Sequence, residues 1–348
     1  MIRQRPPIRT SLRRTLRATL MLLLCLAATS ARAQNPPVEE DDVVSVNTNL
    51  VRLNIGVADA RGRAVTNLSQ SDFVVYEDGV RQNIQSFAPT TAPFSLVLLL
   101  DLSGSTLSFR TTLKQSALRF LDALAPDDRV AVIAFNSKVS MLSEFTTDRR
   151  KTAFAIMELA DGRGTSEFYK GLKFSLAQLS KEGQRRKAIV VLTDGVDTEM
   201  RKRDSQTSAK AETDADAIAS VKPEASESLR AVLDSADNQG VTVYPLALPS
   251  GDPKRFPALT PQQAVIYSAA RERMQALANR TGGRLHDINR LEDLGRLYAE
   301  VAAEMRTLYT LAYQSTRSGT RDGKWRAINV EVSRADLIAR TRPGYYAR

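Results

Sequence analysis

Apolar residues recur along the chain in two different rhythms, and each rhythm predicts a different kind of element. From Val43 the period is two. Val51, Leu53, Ile55 and Val57 share one face of a strand, while Arg52 and Asn54 point the other way. Asp59-Ala60-Arg61-Gly62-Arg63 reads as a turn, and Phe73-Val74-Val75-Tyr76 as the next strand. Asp78-Gly79 is a hairpin signal, so Val80 to Phe87 is expected to return as the partner strand. These strands make a small antiparallel β module that is too small to close a good sandwich alone.

At Phe94 the rhythm changes. Leu96 to Leu100 is continuously apolar, as is Val130 to Phe135, Ala188 to Leu192 and Val241 to Leu246. Such runs suit strands buried on both faces. Val139 to Phe145 follows a turn at Asn136-Ser137-Lys138 and is expected to be an antiparallel edge strand. Between the strands, helical spacing marks Leu113, Ala117, Phe120, Leu121 and Leu124, then Tyr169, Leu172, Leu176 and Leu179. It marks Tyr267, Ala270, Met274 and Leu277 as well, and most clearly Leu291, Leu294, Tyr298, Val301, Met305 and Leu308. Gly283 to His286 is a short strand. Alternating strands and helices predict an α/β fold, a doubly wound and mostly parallel sheet, over residues 92–308. Residues 200–238 are charged and rich in alanine and serine; they are expected to be a mobile insertion, helical only near Leu229 to Leu233.

After Leu308 period two returns, at Tyr309, Leu311 and Tyr313 and again at Ile328, Val330 and Val332. The economical arrangement pairs residues 34–91 with residues 309–348 in one antiparallel β-sandwich, with the α/β domain inserted between them. The ends of an inserted domain lie close together, which makes this feasible.

Residues 1–33 change how the charge is read. Arg3, Arg5, Arg9, Arg13, Arg14 and Arg17 precede the apolar run Leu20 to Ala28, and Ala31-Arg32-Ala33 ends it with small residues. That order is expected to be a secretory signal peptide cleaved near Ala33, leading to the periplasm or the exterior. The apolar run is too short to span a bilayer. Gln34 to Asp42 is a polar linker. The formal charge of the whole chain is +10. Seven arginines and no acids leave with the leader, so the mature chain carries only +3 and its basicity is no argument for nucleic acid. Cys25, the one cysteine, leaves too, so no disulfide is expected.

The candidate chemistry lies on three loops. Asp101-Leu102-Ser103-Gly104-Ser105 directly follows the first buried strand, and Asp194, within Leu192-Thr193-Asp194-Gly195, ends the third. Gly162-Arg163-Gly164-Thr165 stands just before a helix. In an open parallel sheet ligands bind beyond the carboxyl ends of the strands, so the three loops are expected to meet there. Asp101, Ser103, Ser105, Thr165 and Asp194 are all hard oxygen donors and suit Mg²⁺, or Mn²⁺ or Ca²⁺. Two carboxylates balance a divalent charge, and hydroxyls and water leave the ion able to accept one more oxygen from a partner's Asp or Glu. The same residue types also cap helices, and caps belong in strand-to-helix loops.

The five positions resemble the metal-ion-dependent adhesion site of the von Willebrand factor type A domain, and residues 94–308 look like that domain. Thr165 stands in Gly-x-Gly-Thr where many relatives have Gly-Gly-Thr, and Arg163 replaces a common small residue. The flanks Asp72 to Gly79 and Arg342 to Tyr346 resemble the related exported proteins frequent in Acidobacteria. This resemblance implies an exported protein-binding module whose metal bridges to an acidic residue of a protein partner, without catalytic residues. Two other functions compete. A structural envelope protein could hold a purely stabilising metal. A metal-assisted hydrolase would need a nucleophile or further ligands that the sequence does not supply, and a Ser-His-Asp hydrolase would have to use His286, the one histidine, with no Gly-x-Ser-x-Gly elbow beside it. Trp325 and Tyr345-Tyr346 could stack on a sugar, but suit sandwich core or sheet edge better.

Overall fold

A computed structural model describes residues 50–159, 164–209, 211–248, 260–288, 290–317 and 322–348. The leader 1–33, the linker 34–42 and the pair Gly162-Arg163 lie outside the described residues.

The chain begins in the β module. Strand β1 (Leu50–Asp59) buries Val51, Leu53, Ile55 and Val57, as its period-two pattern predicts. Strands β2 (Phe73–Glu77) and β3 (Val80–Gln82) form the hairpin, with Asp78 and Gly79 at φ 48° and 79° as a tight two-residue turn requires. The returning strand is not continuous. It breaks at Asn83, and β4 (Ile84–Ala88) leaves β2 to pair in a different sheet.

The α/β part follows. Strand β5 (Phe94–Asp101) is buried at every position, and α1 (Arg110–Ala123) covers one face of it. Next come β6 (Arg129–Phe135), the antiparallel edge strand β7 (Val139–Thr146), α2 (Arg149–Met157), α3 (Phe168–Leu179) and β8 (Arg186–Thr193). Three helices then occupy the stretch expected to be mobile: α4 (Thr198–Thr207), α5 (Asp214–Ser220) and α6 (Glu227–Gln239). Strand β9 (Val241–Ala247), α7 (Pro261–Thr281), the short β10 (His286–Asp287) and α8 (Leu294–Met305) complete the domain. The sheet order is β10-β9-β8-β5-β6-β7, parallel except for β7. Alternate residues of β5 feed two cores. Leu96, Leu98 and Leu100 pack under α1 and α8, while Val97 and Leu99 face the side of α3, α6 and α7. Each such fully buried side chain contributes about 1.5–3 kcal/mol.

The insertion is ordered for reasons its composition hides. Asp197 caps α4 by accepting from Glu199 N and Met200 N, and Met200 is the one apolar residue of that helix. Asp204 forms a buried, two-bond ion pair with Arg273 of α7, at 2.7 Å on each side. Ser226 caps α6, and Gly240 ends it in the left-handed conformation. Charge therefore anchors this segment; it does not mark it as solvated.

Strands β11 (Leu308–Gln314), β12 (Trp325–Val332), β13 (Leu337–Arg340) and β14 (Gly344–Tyr346) return to the β module. The two sheets run β13-β1-β11-β4 and β14-β12-β2-β3. Both mix strands from the two ends of the chain, so the flanks do complete one sandwich around an inserted α/β sheet. Its core holds Leu53, Ile55, Val75, Tyr309 and Leu311. Across it the buried Glu77 accepts from Tyr313 Oη, Ser315 Oγ and Tyr345 Oη, at 2.8, 2.5 and 3.0 Å. Tyr345 is thus a sandwich residue, and Trp325 and Tyr346 pack edge to face about Arg280.

The two modules meet through polar contacts. Asn54 Nδ2 donates to Thr242 Oγ1 and to the Gly240 carbonyl. Arg186 donates to the carbonyls of Thr90 and Leu308, the two points where the chain crosses between modules. Asp237 on α6 accepts from Arg280 and from Arg342 of the C-terminal flank, at 2.5 and 2.8 Å, and all three are well buried. Removing Asp237 leaves Arg342 without its anion and Arg280 with only Asp234, at 3.9 Å. Asp237→Ala is therefore expected to lower unfolding free energy by about 3–5 kcal/mol in a urea titration. A loss under 1 kcal/mol would show that the contact does not hold the modules together.

Candidate functional site

The parallel pairing of β5 with β8 sets Leu100 beside Leu192, and so carries Asp101 and Asp194 to the same end of the sheet. Both strands stop there. Asp101 is fully buried and Asp194 is 3% exposed. Asp101 Oδ1 accepts from the Ser103 N–H at 2.8 Å, and Oδ2 accepts from Thr193 Oγ1 at 2.6 Å. Thr193 is held in turn by the Gly195 N–H. Asp194 Oδ1 accepts from the Val196 N–H at 3.0 Å. Ser103 Oγ and Ser105 Oγ lie 3.1 Å apart; Ser103 also reaches Asp101, and Ser105 reaches Asp194. Four of the expected residues thus form one continuous chain of oxygens, from Asp101 through the two serines to Asp194.

Thr165 stands differently. It is exposed, and among the described residues its side chain has no hydrogen bond to the other four. Its loop is nevertheless tied to the site, because the Gly104 N–H donates to the Gly164 carbonyl at 3.2 Å. On the other side of Thr165, Ser166 exchanges hydrogen bonds with Thr198 at the start of α4. The Thr165 backbone is therefore fixed at both neighbours, beside the serine loop.

Several supporting residues were not singled out from sequence. Thr106 Oγ1 donates to the carbonyls of Asp101 and Ser103, at 2.8 and 3.0 Å. Arg110, in the first turn of α1, donates to the same two carbonyls. Thr193, quoted only as part of its motif, orients Asp101. Gly195 lies at φ 76°, and a Cβ there would stand 2.6 Å from Met274 Cε of α7. Thr106 and Arg110 lie five and nine residues beyond Asp101 and show no period of their own, so only the folded loop reveals them. Thr193 and Gly195 flank Asp194 and could have been read as its supports.

The electrostatics are those of an uncompensated anionic pair. Burial, with the Asp194 charge beside it, pushes the Asp101 carboxyl up to about 7. Burial raises Asp194 as well. Among the described residues no cluster of three or more His, Cys, Asp or Glu side chains is present. A thiolate or imidazole metal is thus disfavoured by the donor set, and two carboxylates with hydroxyl groups fit a hard divalent cation. His286 is buried on β10, and its Nε2 has no hydrogen-bond partner in the described structure. It makes no contact with Ser103 or Ser105 of the kind a nucleophile and its base require.

The pair has a thermodynamic signature. Asp101 binds its proton more tightly in the fold than in the unfolded chain. In the metal-free protein its contribution to stability is complete below 3.8 and is lost as pH rises through about 7. The melting temperature of metal-free wild type is therefore expected to fall, relative to Asp101→Asn, between pH 5 and pH 8. Parallel melting curves for the two proteins across that range would contradict the assignment.

Residues 96–196 match a family model described as the von Willebrand factor type A domain. Among curated proteins, sll0103 of Synechocystis sp. is 35% identical over 106 residues, 30% of this chain and 25% of that protein. The human voltage-dependent calcium channel subunit alpha-2/delta-2 is 32% identical over 118 residues, 30% of this chain and 10% of that protein. The chain thus matches only a quarter or less of the length of these relatives. Among solved structures, a von Willebrand factor type A protein from Catenulispora acidiphila aligns at a TM-score of 0.46 with 12% identity, covering 87% of this chain and 74% of that one.

Proposed function

We propose that this chain, whose residues 96–196 match the von Willebrand factor type A domain, a family that generally mediates protein–protein interaction and adhesion, is an exported, divalent-metal-dependent binding module. The observation that carries this reading is the oxygen chain Asp101-Ser103-Ser105-Asp194. Two buried carboxylates lie together there with no ion-pair partner among the described residues, at the end of the sheet where ligands bind.

Asp101 and Asp194 would hold the cation, with Ser103 and Ser105 as neutral oxygens and Thr165 as the residue best placed to join from the neighbouring loop. When bound, Mg²⁺, Mn²⁺ or Ca²⁺ supplies an electrophilic centre that can accept one carboxylate oxygen from a partner's Asp or Glu. The chain's own residues supply rigidity. Thr193 and the Ser103 N–H fix both oxygens of Asp101, and Arg110 and Thr106 clamp the backbone of the serine loop. Pre-organisation of this kind favours binding, because little ordering remains to be done when the partner arrives.

Export rests on the leader pattern of residues 1–33. Among the described residues no helix is long and apolar enough to cross a membrane. A purely stabilising metal remains the second reading, since buried carboxylates are also relieved by an ion that meets no partner.

The test is capture of partners from the native envelope by wild type and Asp194→Ala, each in Mg²⁺ or EDTA. Binding is expected only for wild type in Mg²⁺, with release by EDTA. The same partners in all four conditions would overturn the metal bridge. Chelation that lowers the melting temperature without releasing any partner would favour the stabilising role.

A substitution at Gly195 probes the support of the site. Gly195→Val forces a β-branched residue into positive φ against Met274. It is expected to weaken Mg²⁺ binding at least tenfold in calorimetry while α1 and the sandwich remain folded. Unchanged affinity would show that the Asp194 loop is not held from α7.

A further inference from the structure

Large apolar side chains turn inward as a rule, and a single exception on a surface needs no explanation. Phe154 and Met157 are a pair. They stand one turn apart on α2 and are 65% and 61% exposed.

Nothing in the packing of α2 requires them there. Its buried residues are Thr152 and Ile156, and at ~100° per residue Phe154 points directly away from that face, with Met157 beside it. Arg149 holds the inner side down, donating to the carbonyls of Ala125 and Asp128 at 2.8 and 2.9 Å. The helix packs on α1 and on β6 and β7, the last two strands of the sheet. It therefore forms an outer corner of the α/β domain, and its apolar pair stands on a convex surface.

The charges around the pair are mostly positive. Arg150 and Lys151 stand within one turn of Phe154 on the same exposed side, and neither has an ion-pair partner among the described residues. Lys114 of α1 brings a third cation, its Nζ donating to the Met157 carbonyl at 3.1 Å. The two acids lie at the helix ends. Asp148 is engaged there by the N–H groups of Arg150 and Lys151, and Glu158 directly follows Met157.

Exposed apolar side chains ringed by Lys and Arg suit a membrane surface, where hydrocarbon takes up the apolar groups and lipid phosphates meet the cations. A pocket on a protein would also accept the apolar pair, but the free cations favour an anionic surface. We propose that α2 is a docking surface for an anionic phospholipid bilayer. Phe154 and Met157 enter the acyl boundary, while Arg150, Lys151 and Lys114 meet headgroup phosphates. The surface goes beyond the metal reading. It uses no residue of the oxygen chain and stands whether or not a cation binds there.

The experiment places a reporter at the tip of the patch: Phe154→Trp with Trp325→Phe, so that one indole remains. The full chain is mixed with vesicles of bromine-labelled phosphatidylcholine, with or without an equal part of phosphatidylglycerol. EDTA is present throughout, so that no divalent ion at Asp101 and Asp194 can bridge to a phosphate. The basic and apolar leader 1–33 is itself able to bind vesicles, so the readout is fluorescence quenching at position 154 and not co-sedimentation. Anionic vesicles are expected to quench at a lipid concentration at least tenfold below that needed with neutral ones. Arg150→Glu with Lys151→Glu is expected to abolish the quenching with the far-ultraviolet circular dichroism unchanged. Ile338→Trp in the same Trp325→Phe background, at an equally exposed apolar position on β13, is expected to escape it. No quenching at position 154, equal quenching by neutral vesicles, indifference to the charge reversals, or equal quenching at position 338 would each overturn the proposal. Shielding of position 154 without lipid, growing with protein concentration, would overturn it in favour of a second copy of the chain.

Discussion

Two carboxylates are held beside each other in a place where water cannot separate their charges. Asp101 and Asp194 end neighbouring parallel strands, and the register that pairs Leu100 with Leu192 leaves them no freedom to part. In low dielectric, like charges at short range repel strongly, and burial alone already disfavours each anion. The fold meets this strain in part with donors: the Ser103 N–H and Thr193 hydroxyl on Asp101, and the Val196 N–H on Asp194. Hydrogen bonds lower the cost without removing it, since Asp101 stays near 7. What remains is a deficit of positive charge that a divalent cation would fill.

The rest of the domain serves that constraint. Both faces of β5 are packed, so the strand that delivers Asp101 cannot relax. Arg110 and Thr106 hold the following loop by its carbonyls, and Met274 packs against Gly195 behind the other aspartate. At the opposite end, Arg186 and Asp237 fasten the inserted sheet to a sandwich built from both chain flanks. The sandwich therefore fixes the orientation in which the site is presented, with the crossover points on one end and the oxygen chain on the other.

Much of this was legible in the residues because it depends on local period and short motifs. Continuous apolar runs identified the buried strands, and Asp101-x-Ser-x-Ser and Thr-Asp194-Gly fell at strand ends where the topology needs them. Pairing of the two flanks followed from the return of period two at Tyr309. What escaped were features set by contacts distant in sequence. The 200–238 stretch was expected to be mobile because it is charged and rich in alanine and serine, and the partner that anchors its Asp204, Arg273, lies 69 residues away. The switch of sheets at Asn83 has no local signal stronger than the strand pattern that runs through it. Arg110 gave no hint of its role, because a carbonyl clamp exists only once the serine loop has closed. Thr165 is the least determined of the five expected ligand residues, since its side chain meets none of the others.

The central claim is that the Asp101–Asp194 pair is a cation site, and calorimetric titration with Mg²⁺ tests it most directly. Wild type at pH 8 is expected to bind one ion per chain, and Asp101→Asn and Asp194→Asn to lose that binding. At pH 5, where Asp101 carries its proton, wild type is expected to bind much more weakly. Failure of wild type to bind Mg²⁺, Mn²⁺ or Ca²⁺ at pH 8, or equal binding by the two variants, would contradict the account.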